Sequence, residues 1–309
     1  MEPFYSVSEY YKKLFGEKTY KISLNTGMTC PNRDGRVGVG GCIFCSEGGS
    51  GDFSPSPALS ISEQIDNAIG LVENKYSGQS YIAYFQAFTN TYAPVEKLRE
   101  YFTAAVMDKR IRGMSIATRP DCLEAEKIRL LMELNKIKPV WVELGLQTIR
   151  DDTARLINRG YSLSVFEDAL QRLNGAGIPV IVHVILGLPG EGLTDYIKTA
   201  EYLAKRQISG VKLQLLHVLK NTVLEKMYEK GEFNTLTMEE YLEGVTAIIE
   251  RLPKDMVIHR VTGDGPRSLL VAPLWSLDKK RVLNALHRHF KDENTWQGRL
   301  YIKENNNGT

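Results

Sequence analysis

Three cysteines in a glycine-rich segment are the residues of this sequence best suited to chemistry. Cys30, Cys42 and Cys45 lie within sixteen residues, and the two-residue gap between Cys42 and Cys45 is typical of zinc and iron–sulfur sites. A closed zinc site takes four ligands, whereas the remaining cysteine, Cys122, lies 77 residues further along the chain. The spacing leaves three interpretations open: a [4Fe–4S] cluster with one iron free for a substrate or cofactor, a zinc knuckle, or inert core thiols.

The composition limits the class of protein that could carry this segment. The chain has 309 residues, of which 43% are hydrophobic and 25% charged. It contains no apolar run long enough to cross a membrane, and its first residues lack the basic start and apolar core of a secretory signal. Four cysteines are too few for a disulfide scaffold in a chain of this length. We therefore expect a cytoplasmic protein with reduced thiols and no membrane partner.

Apolar and alternating segments recur along the chain and predict strands separated by helices. The predicted strands are Tyr20–Leu24, Tyr81–Gln86, Met114–Thr118, Val140–Gly145, Val180–Leu186 and Val211–Leu216. The predicted helices are Ile61–Tyr76, Val95–Asp108, Leu123–Asn135, a stretch over Asp151–Asn174 interrupted near Gly160, Leu193–Arg206 and Met238–Leu252. Buried parallel strands with helical crossovers suit this pattern, and both an open doubly wound sheet and an incomplete barrel fit it. Beyond Arg251 the regular alternation of strands and helices ends, and the sequence predicts a candidate strand at Met256–Val261 and a helix near Asp278–Phe290.

The cysteine loop follows the first predicted strand and has an aromatic residue, Phe44, just before its last cysteine. In this position the loop resembles that of the radical SAM enzymes. The eleven residues between Cys30 and Cys42 exceed the short first gap that is common in that superfamily. A longer gap is similar to the Elongator-catalytic-subunit-like branch and, within it, to the bacterial YtqA/YhcC-type proteins.

The resemblance implies a fold, two cofactors and an activity. The implied fold is α/β, an incomplete (β/α)6 TIM-like barrel over residues 1–252 with its cluster loop at 25–60 and a small C-terminal extension over 253–309. Cys30, Cys42 and Cys45 are implied to bind a [4Fe–4S] cluster, with S-adenosylmethionine (SAM) on its fourth iron. The implied reaction is reductive cleavage of SAM to methionine and a 5′-deoxyadenosyl radical, which abstracts hydrogen from the substrate. An electron donor of flavodoxin or ferredoxin type is an implied partner.

The ends of the predicted strands carry segments similar to the SAM-binding motifs of the family. Tyr84–Thr91 stands where the superfamily usually has a Gly-Gly-Glu-like motif, Ala117–Asp121 contains a Thr-Arg-Pro-Asp run, and His183–Glu191 resembles the adenine-site motif. β/α folds build their sites at the C-terminal ends of strands. The residues implied to contact SAM are Gln86, Thr118, Arg119, Glu143, Gln147, Arg159, Ile185, Gly187, Leu216 and His217.

Several of these residues also have a purely structural interpretation. Gln86 could be a capping amide, and Arg159 could be a surface residue at a helix end. Glu143 needs a partner if it is buried, and Arg119 is a candidate for that partner. Strand alternation places His183 on the same face as Ile185, so it could face the barrel interior, but a hydrogen-bonded core histidine is the favoured interpretation. Cys122 is interpreted as a small buried hydrophobe.

The net charge of +2 is unevenly distributed, because 11 Lys and Arg face only 6 Asp and Glu from residue 251 onwards. The basic and aromatic residues of this part are Arg260, Arg267, Trp275, Lys279, Lys280, Arg281, His287, Arg288, His289, Lys291 and Trp296. Cations bind phosphate and aromatic rings can stack bases, although an exposed amphipathic helix end would show the same pattern.

The Elongator-like branch acts on tRNA wobble uridines, so the resemblance implies tRNA as the substrate. The candidate substrate contacts are Lys212, Arg260, Asp264 and Arg267. Two alternatives remain open at this point: a radical SAM enzyme acting on a small carboxylated metabolite, and a noncatalytic zinc or Fe–S binding module.

Overall fold

A parallel sheet with helical crossovers organises the chain, and the computed structural model describes residues 2–49, 54–73, 78–263 and 265–303. The strands are, in chain order, β1 (Tyr20–Leu24), β2 (Tyr81–Phe85), β3 (Ile111–Thr118), β4 (Val140–Gln147), β5 (Val180–Leu186), β6 (Gly210–Leu215), β7 (Val218–Leu219), β8 (Val257–Arg260) and β9 (Leu270–Ala272). The α-helices are α1 (Val7–Phe15), α2 (Ile61–Val72), α3 (Val95–Met107), α4 (Ala125–Asn135), α5 (Asp151–Leu156), α6 (Leu163–Gly175), α7 (Leu193–Ala204), α8 (Val223–Glu229), α9 (Met238–Ile249) and α10 (Lys279–Asp292).

Seven of these strands pair in parallel in the order β1-β2-β3-β4-β5-β6-β8. The order follows the sequence and the crossovers are largely helical, so the sheet curls into an incomplete barrel. β1 and β8 are its two edges and do not pair with each other. The predicted incomplete (β/α)6 barrel is confirmed, and the candidate strand over Met256–Val261 is present as β8, which extends the sheet by one strand.

The predicted elements agree with the structure apart from their ends, and the predicted interruption near Gly160 is present. β1 and β5 have the predicted bounds. The stretch over Asp151–Asn174 is two helices, because Asn158 and Gly160 between them adopt left-handed φ values of 52° and 80°. The last residues of the predicted helix Ile61–Tyr76 lie outside the described residues.

Alternate residues of the strands point into the barrel, and its floor is apolar. Four side chains form this floor: Tyr11 of α1, Ile82, Trp141 and Ile181. The segment before α1 reaches the open side of the barrel, where the carbonyl of Tyr5 accepts a hydrogen bond from the N–H of Ile258 on β8 (2.8 Å). The sequence analysis did not predict α1, the element that covers the N-terminal end of the barrel.

The C-terminal part packs on the same barrel. β7 and β9 form a short antiparallel pair, and α10 lies against α9. Val282, Leu286 and Phe290 are the buried residues of α10. Within the described ranges, no helix has the length and apolar character needed to cross a membrane.

Candidate functional site

The loop after β1 brings Cys30, Cys42 and Cys45 onto the wall of one cavity of about 280 Å³, which we call the barrel cavity. The loop is tightly turned: the carbonyl of Cys30 accepts from the N–H of Arg33 (2.8 Å), and that of Cys42 accepts from the N–H of Cys45 (3.0 Å). A hydrogen bond from the Cys45 thiol, together with the nearby Arg119, lowers the pKa of Cys42. The predicted convergence of the three thiols on one site is therefore seen in the structure.

The barrel cavity also collects most of the predicted SAM contacts from the C-terminal ends of the strands. Those on its wall are Gln86, Thr118, Arg119, Glu143, Gln147, Arg159, Ile185, Leu216 and His217. Gly187 lies behind the wall, where a Cβ would come within 3.3 Å of Leu236 Cγ and 3.5 Å of Leu216 Cβ. These placements bring the candidates together, and the ligand role of each stays a prediction.

A buried ion-pair network lies at the base of the barrel cavity. The side chain of Glu143 is fully buried, and its Oε1 accepts hydrogen bonds from Lys21 Nζ (2.5 Å) and Ser115 Oγ (2.5 Å). Its Oε2 lies 2.7 Å from His183 Nε2 and also accepts from Lys212 Nζ. Strands β1, β3, β5 and β6 thus each supply a partner to one carboxylate on β4, which offsets the cost of burying its charge.

Burial and the contacts within the network shift the pKa values of its members, and the carboxylate of Glu143 stays charged. Burial alone would raise the pKa of Glu143, but Lys21, Lys212 and His183 outweigh it and hold that pKa well below its usual 4.5. Burial lowers the pKa of Lys212 to about 7, and burial with the nearby Lys212 lowers the pKa of His183 to about 4. Near neutral pH, His183 is therefore a neutral hydrogen-bond donor to an ionised Glu143.

The alternative that paired Glu143 with Arg119 is wrong, because Arg119 has another partner. Its Nε and Nη2 bind the two carboxylate oxygens of Asp121 at 2.9 and 2.7 Å. This bidentate contact holds the guanidinium plane over the ring of Tyr161, with the carbon 4.7 Å from the ring centroid. Arg119 is therefore fixed on the wall before any ligand binds.

Arg159 is buried rather than on the surface, with only 1% of its area exposed, so the surface interpretation is wrong. Its Nη1 donates to the carbonyls of Leu146 (2.6 Å) and Thr148 (2.7 Å) on either side of Gln147. Gln147 takes a left-handed φ of 60°, and its Oε1 accepts from the Tyr161 hydroxyl (3.0 Å). Arg159 therefore holds the strained end of β4 in a shape that turns Gln147 toward the barrel cavity.

Two consecutive residues after β2 also have strained backbones. Ala87 and Phe88 adopt left-handed φ values of 84° and 57°, each of which costs on the order of 1–3 kcal/mol for a residue with a side chain. The fully buried amide of Asn90 holds this turn by donating to the carbonyls of Ala87 and Ala117 (both 3.1 Å). The preceding Gln86 donates from Nε2 to Ser23 Oγ (2.7 Å) and lies on the cavity wall. Its amide thus cross-links β2 to β1 and does not cap a helix.

The donor set at the loop suits a polynuclear cluster better than a single metal ion. Over the described ranges, no group of three or more His, Cys, Asp or Glu side chains is arranged so that it could hold one metal ion. A closed zinc site needs four such ligands around one atom at about 2.3 Å for sulfur. A [4Fe–4S] cubane takes each thiolate on a different iron, so its sulfur ligands need not converge on one atom. Cys30, Cys42 and Cys45 line one cavity and would leave one iron of such a cluster for a further ligand.

Cys122 lies apart from this set and is buried, with 3% of its area exposed. Burial raises the pKa of its thiol to about 12. The interpretation as a small buried hydrophobe agrees with this environment.

A second cavity, of about 920 Å³, lies on the unpaired side of the barrel between β1 and β8, and we call it the lateral cavity. The Lys and Arg residues that line it are Lys18, Lys21, Lys212, Arg260, Arg267 and Lys279. Lys212 and Arg260 line the barrel cavity as well, so the two cavities adjoin at these side chains. Three of the predicted substrate contacts therefore lie along one route into the barrel, and the fourth, Asp264, lies outside the described residues.

The sequence analysis missed Lys21, Tyr84 and Tyr161, although all three contact the predicted residues. Tyr84 accepts a hydrogen bond from Lys212 Nζ (2.9 Å). The alternation of Lys21 with apolar residues along β1 was a usable signal, since it places Lys21 on the inward face. No local pattern marks Tyr161, which meets its partners only through the fold.

Comparisons with known proteins agree with the cysteine loop and the barrel. The profile of the Radical SAM superfamily matches residues 24–203, and that of the Radical_SAM C-terminal domain matches residues 208–292. The YtqA protein of Bacillus subtilis (strain 168) is 41% identical over 298 residues, which cover 96% of this chain and 92% of that protein.

Two further matches are more distant. A tRNA uridine(34) acetyltransferase of Methanocaldococcus infernus is 28% identical over 165 residues, which cover 52% of this chain and 30% of that enzyme. The solved structure of the archaeal Methanocaldococcus infernus Elp3 with an N-terminal deletion matches with a TM-score of 0.68 and 18% identity, over 90% of this chain and 64% of that one. This last match shows a common fold.

Proposed function

This chain belongs to the radical SAM superfamily, and from that premise we propose that it modifies tRNA at a wobble uridine. The resemblance drawn from the cysteine loop is confirmed, and the cofactors of the superfamily are a [4Fe–4S] cluster and SAM. When bound, the reduced cluster would supply one electron that splits SAM into methionine and a 5′-deoxyadenosyl radical able to remove hydrogen from an unreactive carbon. We propose a flavodoxin- or ferredoxin-type protein as the electron donor.

The wall of the barrel cavity supports a division of roles among its residues. Cys30, Cys42 and Cys45 would hold the cluster. The residues proposed to orient the methionine end of SAM are Gln86, Thr118, Arg119 and Gln147. Those proposed to border its adenine are Ile185, Leu216 and His217, with Gly187 behind them. Glu143 and Arg159 would act through their neighbours, because Glu143 positions Lys212 and Arg159 fixes the backbone beside Gln147.

The observation that carries the tRNA proposal is the basic outer face of α10. This face exposes Lys280, Arg281, Arg288 and Lys291, while the opposite face packs on α9. The helix begins at Lys279, which lines the lateral cavity. A phosphate backbone that follows α10 would therefore bring a nucleotide to the opening that leads to Lys212 and the barrel cavity.

The aromatic residues of this region are not equally suited to stacking a base. The indole of Trp275 donates from Nε1 to the carbonyl of Leu236 (3.0 Å) and packs on Tyr241. Trp296 is 45% exposed and carries Arg299 over its ring. Trp296 is therefore the better candidate for contact with RNA.

The match to a tRNA uridine(34) acetyltransferase supports tRNA and its wobble uridine as the proposed target, but it does not support a particular reaction. That relative is an acetyltransferase by name, but this chain matches only 30% of its length. Acetyl transfer is therefore not part of the proposal. The proposed reaction is a radical modification that begins with abstraction of hydrogen from the tRNA.

The direct test compares modified nucleosides in tRNA from wild-type cells and cells that lack this protein. We expect one wobble-uridine derivative to disappear and its precursor to accumulate in the deletion strain, measured by mass spectrometry of digested tRNA. Complementation with the wild-type chain should restore the profile. An unchanged profile would overturn the proposed substrate.

A second prediction concerns tRNA binding through α10. The double change Lys280→Glu and Arg288→Glu should weaken tRNA binding and reduce the slope of log affinity against log salt by about one for each lost phosphate contact. Filter binding at several salt concentrations measures both quantities. Arg129→Glu on α4 and Lys136→Glu at its C-terminal cap make the same charge change on a helix that packs on α3, and they should leave the slope unchanged. Equal losses in the two double variants would contradict a specific role for α10.

A small carboxylated metabolite is the second candidate substrate. It is favoured by Lys212 and Arg260, because both cationic side chains lie where the two cavities adjoin and could pair with a carboxylate. This candidate predicts that the charge reversals on α10 leave turnover unchanged and that the tRNA profile of the deletion strain is normal.

A further inference from the structure

We propose that Asn32 donates a hydrogen bond to the Cys42 thiolate and thereby sets how readily the bound cluster accepts its electron. Asn32 lies in the long gap between Cys30 and Cys42 and is completely buried. The proposal depends on the cofactors of the family and does not depend on the identity of the substrate.

The contacts of the Asn32 amide fix its orientation. Its Nδ2 lies 2.5 Å from the carbonyl oxygen of Asn158 and 3.8 Å from Cys42 Sγ. Both neighbours are acceptors once Cys42 is a thiolate, so the amide must present its NH₂ group to them. The reverse orientation would place Oδ1 against a carbonyl oxygen and a negative sulfur.

The surroundings of the amide oxygen, Oδ1, show that this position accommodates an asparagine side chain specifically. Oδ1 is buried and has no hydrogen-bond partner among the described residues. A Cβ at Gly38 would lie 2.4 Å from this oxygen, and one at Gly160 would lie 2.8 Å from it. Two glycines therefore make room for the amide, and an unsatisfied buried oxygen is tolerated to keep the NH₂ group in place.

A second set of contacts ties the same segment to the turn between α5 and α6. The side chain of Asn158 donates from Nδ2 to the carbonyl of Gly41 (2.7 Å), next to Cys42. The N–H of Gly41 in turn donates to the carbonyl of Asn32 (2.8 Å). Asn32 and Asn158 thus clamp the long gap, but Asn32 is the member whose hydrogen bond reaches the sulfur.

The electrostatic consequence follows from the charge of the cluster. An N–H donor to a ligand sulfur stabilises negative charge, and it stabilises the reduced cluster more because that form carries one further electron. Loss of the Asn32 donor should therefore lower the reduction potential of the cluster. At a fixed applied potential, the ratio of reduced to oxidised cluster should fall roughly three- to tenfold, where tenfold corresponds to about 59 mV for one electron.

The test uses the reconstituted full chain without substrate. Asn32→Ala removes the donor, and Asn32→Asp replaces the NH₂ group with an acceptor of nearly the same shape. Asn158→Gly is the matched control, because it keeps the carbonyl that Asn32 contacts, tolerates the left-handed φ of 52° at this position and removes only the other half of the clamp. A potentiometric titration followed by electron paramagnetic resonance should show a negative shift in both Asn32 variants and the wild-type potential in Asn158→Gly.

An unshifted potential in Asn32→Ala, or an equal shift in Asn158→Gly, would overturn the proposal. If the Asn32 variants fail to retain iron, the hydrogen bond from Asn32 to Cys42 can still be tested in the wild-type chain. Asparagine labelled with ¹⁵N at the side-chain amide should give a hyperfine coupling to the reduced cluster in pulsed spectra, and Asn158→Gly should retain it. Absence of that coupling in the wild type would refute the hydrogen bond.

Discussion

Replacement of Cys42 by alanine should abolish reductive cleavage of SAM while leaving the chain folded. Each of the three thiolates is needed for one iron of the cluster, so the loss of one leaves the cluster without a complete set of protein ligands. Cys42 is only partly buried and lies on the wall of the barrel cavity, so its truncation removes little packing. Formation of 5′-deoxyadenosine under anaerobic conditions with a chemical reductant measures the activity, and iron content and circular dichroism report cluster and fold.

Cys122→Ala is the matched control for this experiment. It removes the same thiol from a residue that is buried beside Asp121 and does not line the barrel cavity. This variant should keep its iron and its SAM cleavage. Retention of both properties in Cys42→Ala would refute the assignment of the cluster loop.

Glu143→Gln should lower the free energy of unfolding by about 3–5 kcal/mol, the range expected when one member of a buried ion pair is removed. The change keeps the size of the side chain but leaves Lys21 and Lys212 without the carboxylate that both contact. Denaturant titration measures the loss. Glu167→Gln is the control, because it makes the same change in an ion pair with Arg206 whose carboxylate is 44% exposed, and it should cost less than about 1 kcal/mol.

The effect of Glu143→Gln should also depend on pH. In the wild type, Lys212 has its pKa lowered from 10.5 to about 7 in the folded state. The unfolded chain therefore binds more protons than the folded chain between these pH values, and stability rises with pH. Without Glu143 the folded-state pKa of Lys212 falls further, so the deficit of the variant should widen as the pH drops below about 7.

Adding Lys212→Met to Glu143→Gln should recover part of the lost stability, because it removes the ammonium that has lost its partner. A double variant as unstable as the sum of the two single variants would show that the two side chains are not coupled. Equal losses in Glu143→Gln and Glu167→Gln would show that the network contributes no more than a surface ion pair.

Much of the barrel could be predicted because its signals are local. The run Val180–Leu186 is apolar except for His183, as expected for a strand that is buried on both faces, and its bounds agree with the structure. Period-two alternation also placed His183 and Ile185 on one face, and both line the barrel cavity. The metal-binding chemistry of the cysteine loop could be predicted from its residue types and their spacing.

The partners of Glu143 could not be predicted in the same way. Lys21 is 122 positions away in the sequence, and Lys212 is 69 positions away. Which inward side chains meet depends on the stagger of strands that are distant in sequence, and nothing in a single strand encodes that stagger. The nearest candidate by motif was Arg119, and a carboxylate two residues away, Asp121, binds it instead.

The N-terminal helix α1 was missed for a related reason. α1 has one fully buried residue, Tyr11, so its pattern resembles that of an exposed segment. Its place is decided by the floor of the barrel, which exists only after β2, β4 and β5 have assembled. Local periodicity carries little information about a helix that has one buried side chain, because that side chain packs against residues distant in sequence.

The hydrogen bonds that join the segment before α1 to Gln297 have a consequence for how the protein is made. The N–H of Tyr5 donates to the side chain of Gln297, 292 positions later, and the N–H of Gln297 donates to the carbonyl of Pro3. On the ribosome, the cysteine loop emerges early, whereas these two hydrogen bonds cannot form until Gln297 has been synthesised. Contacts of such long sequence separation form slowly. The N-terminal segment therefore makes its contacts with Gln297 only after every strand of the seven-stranded sheet has been synthesised.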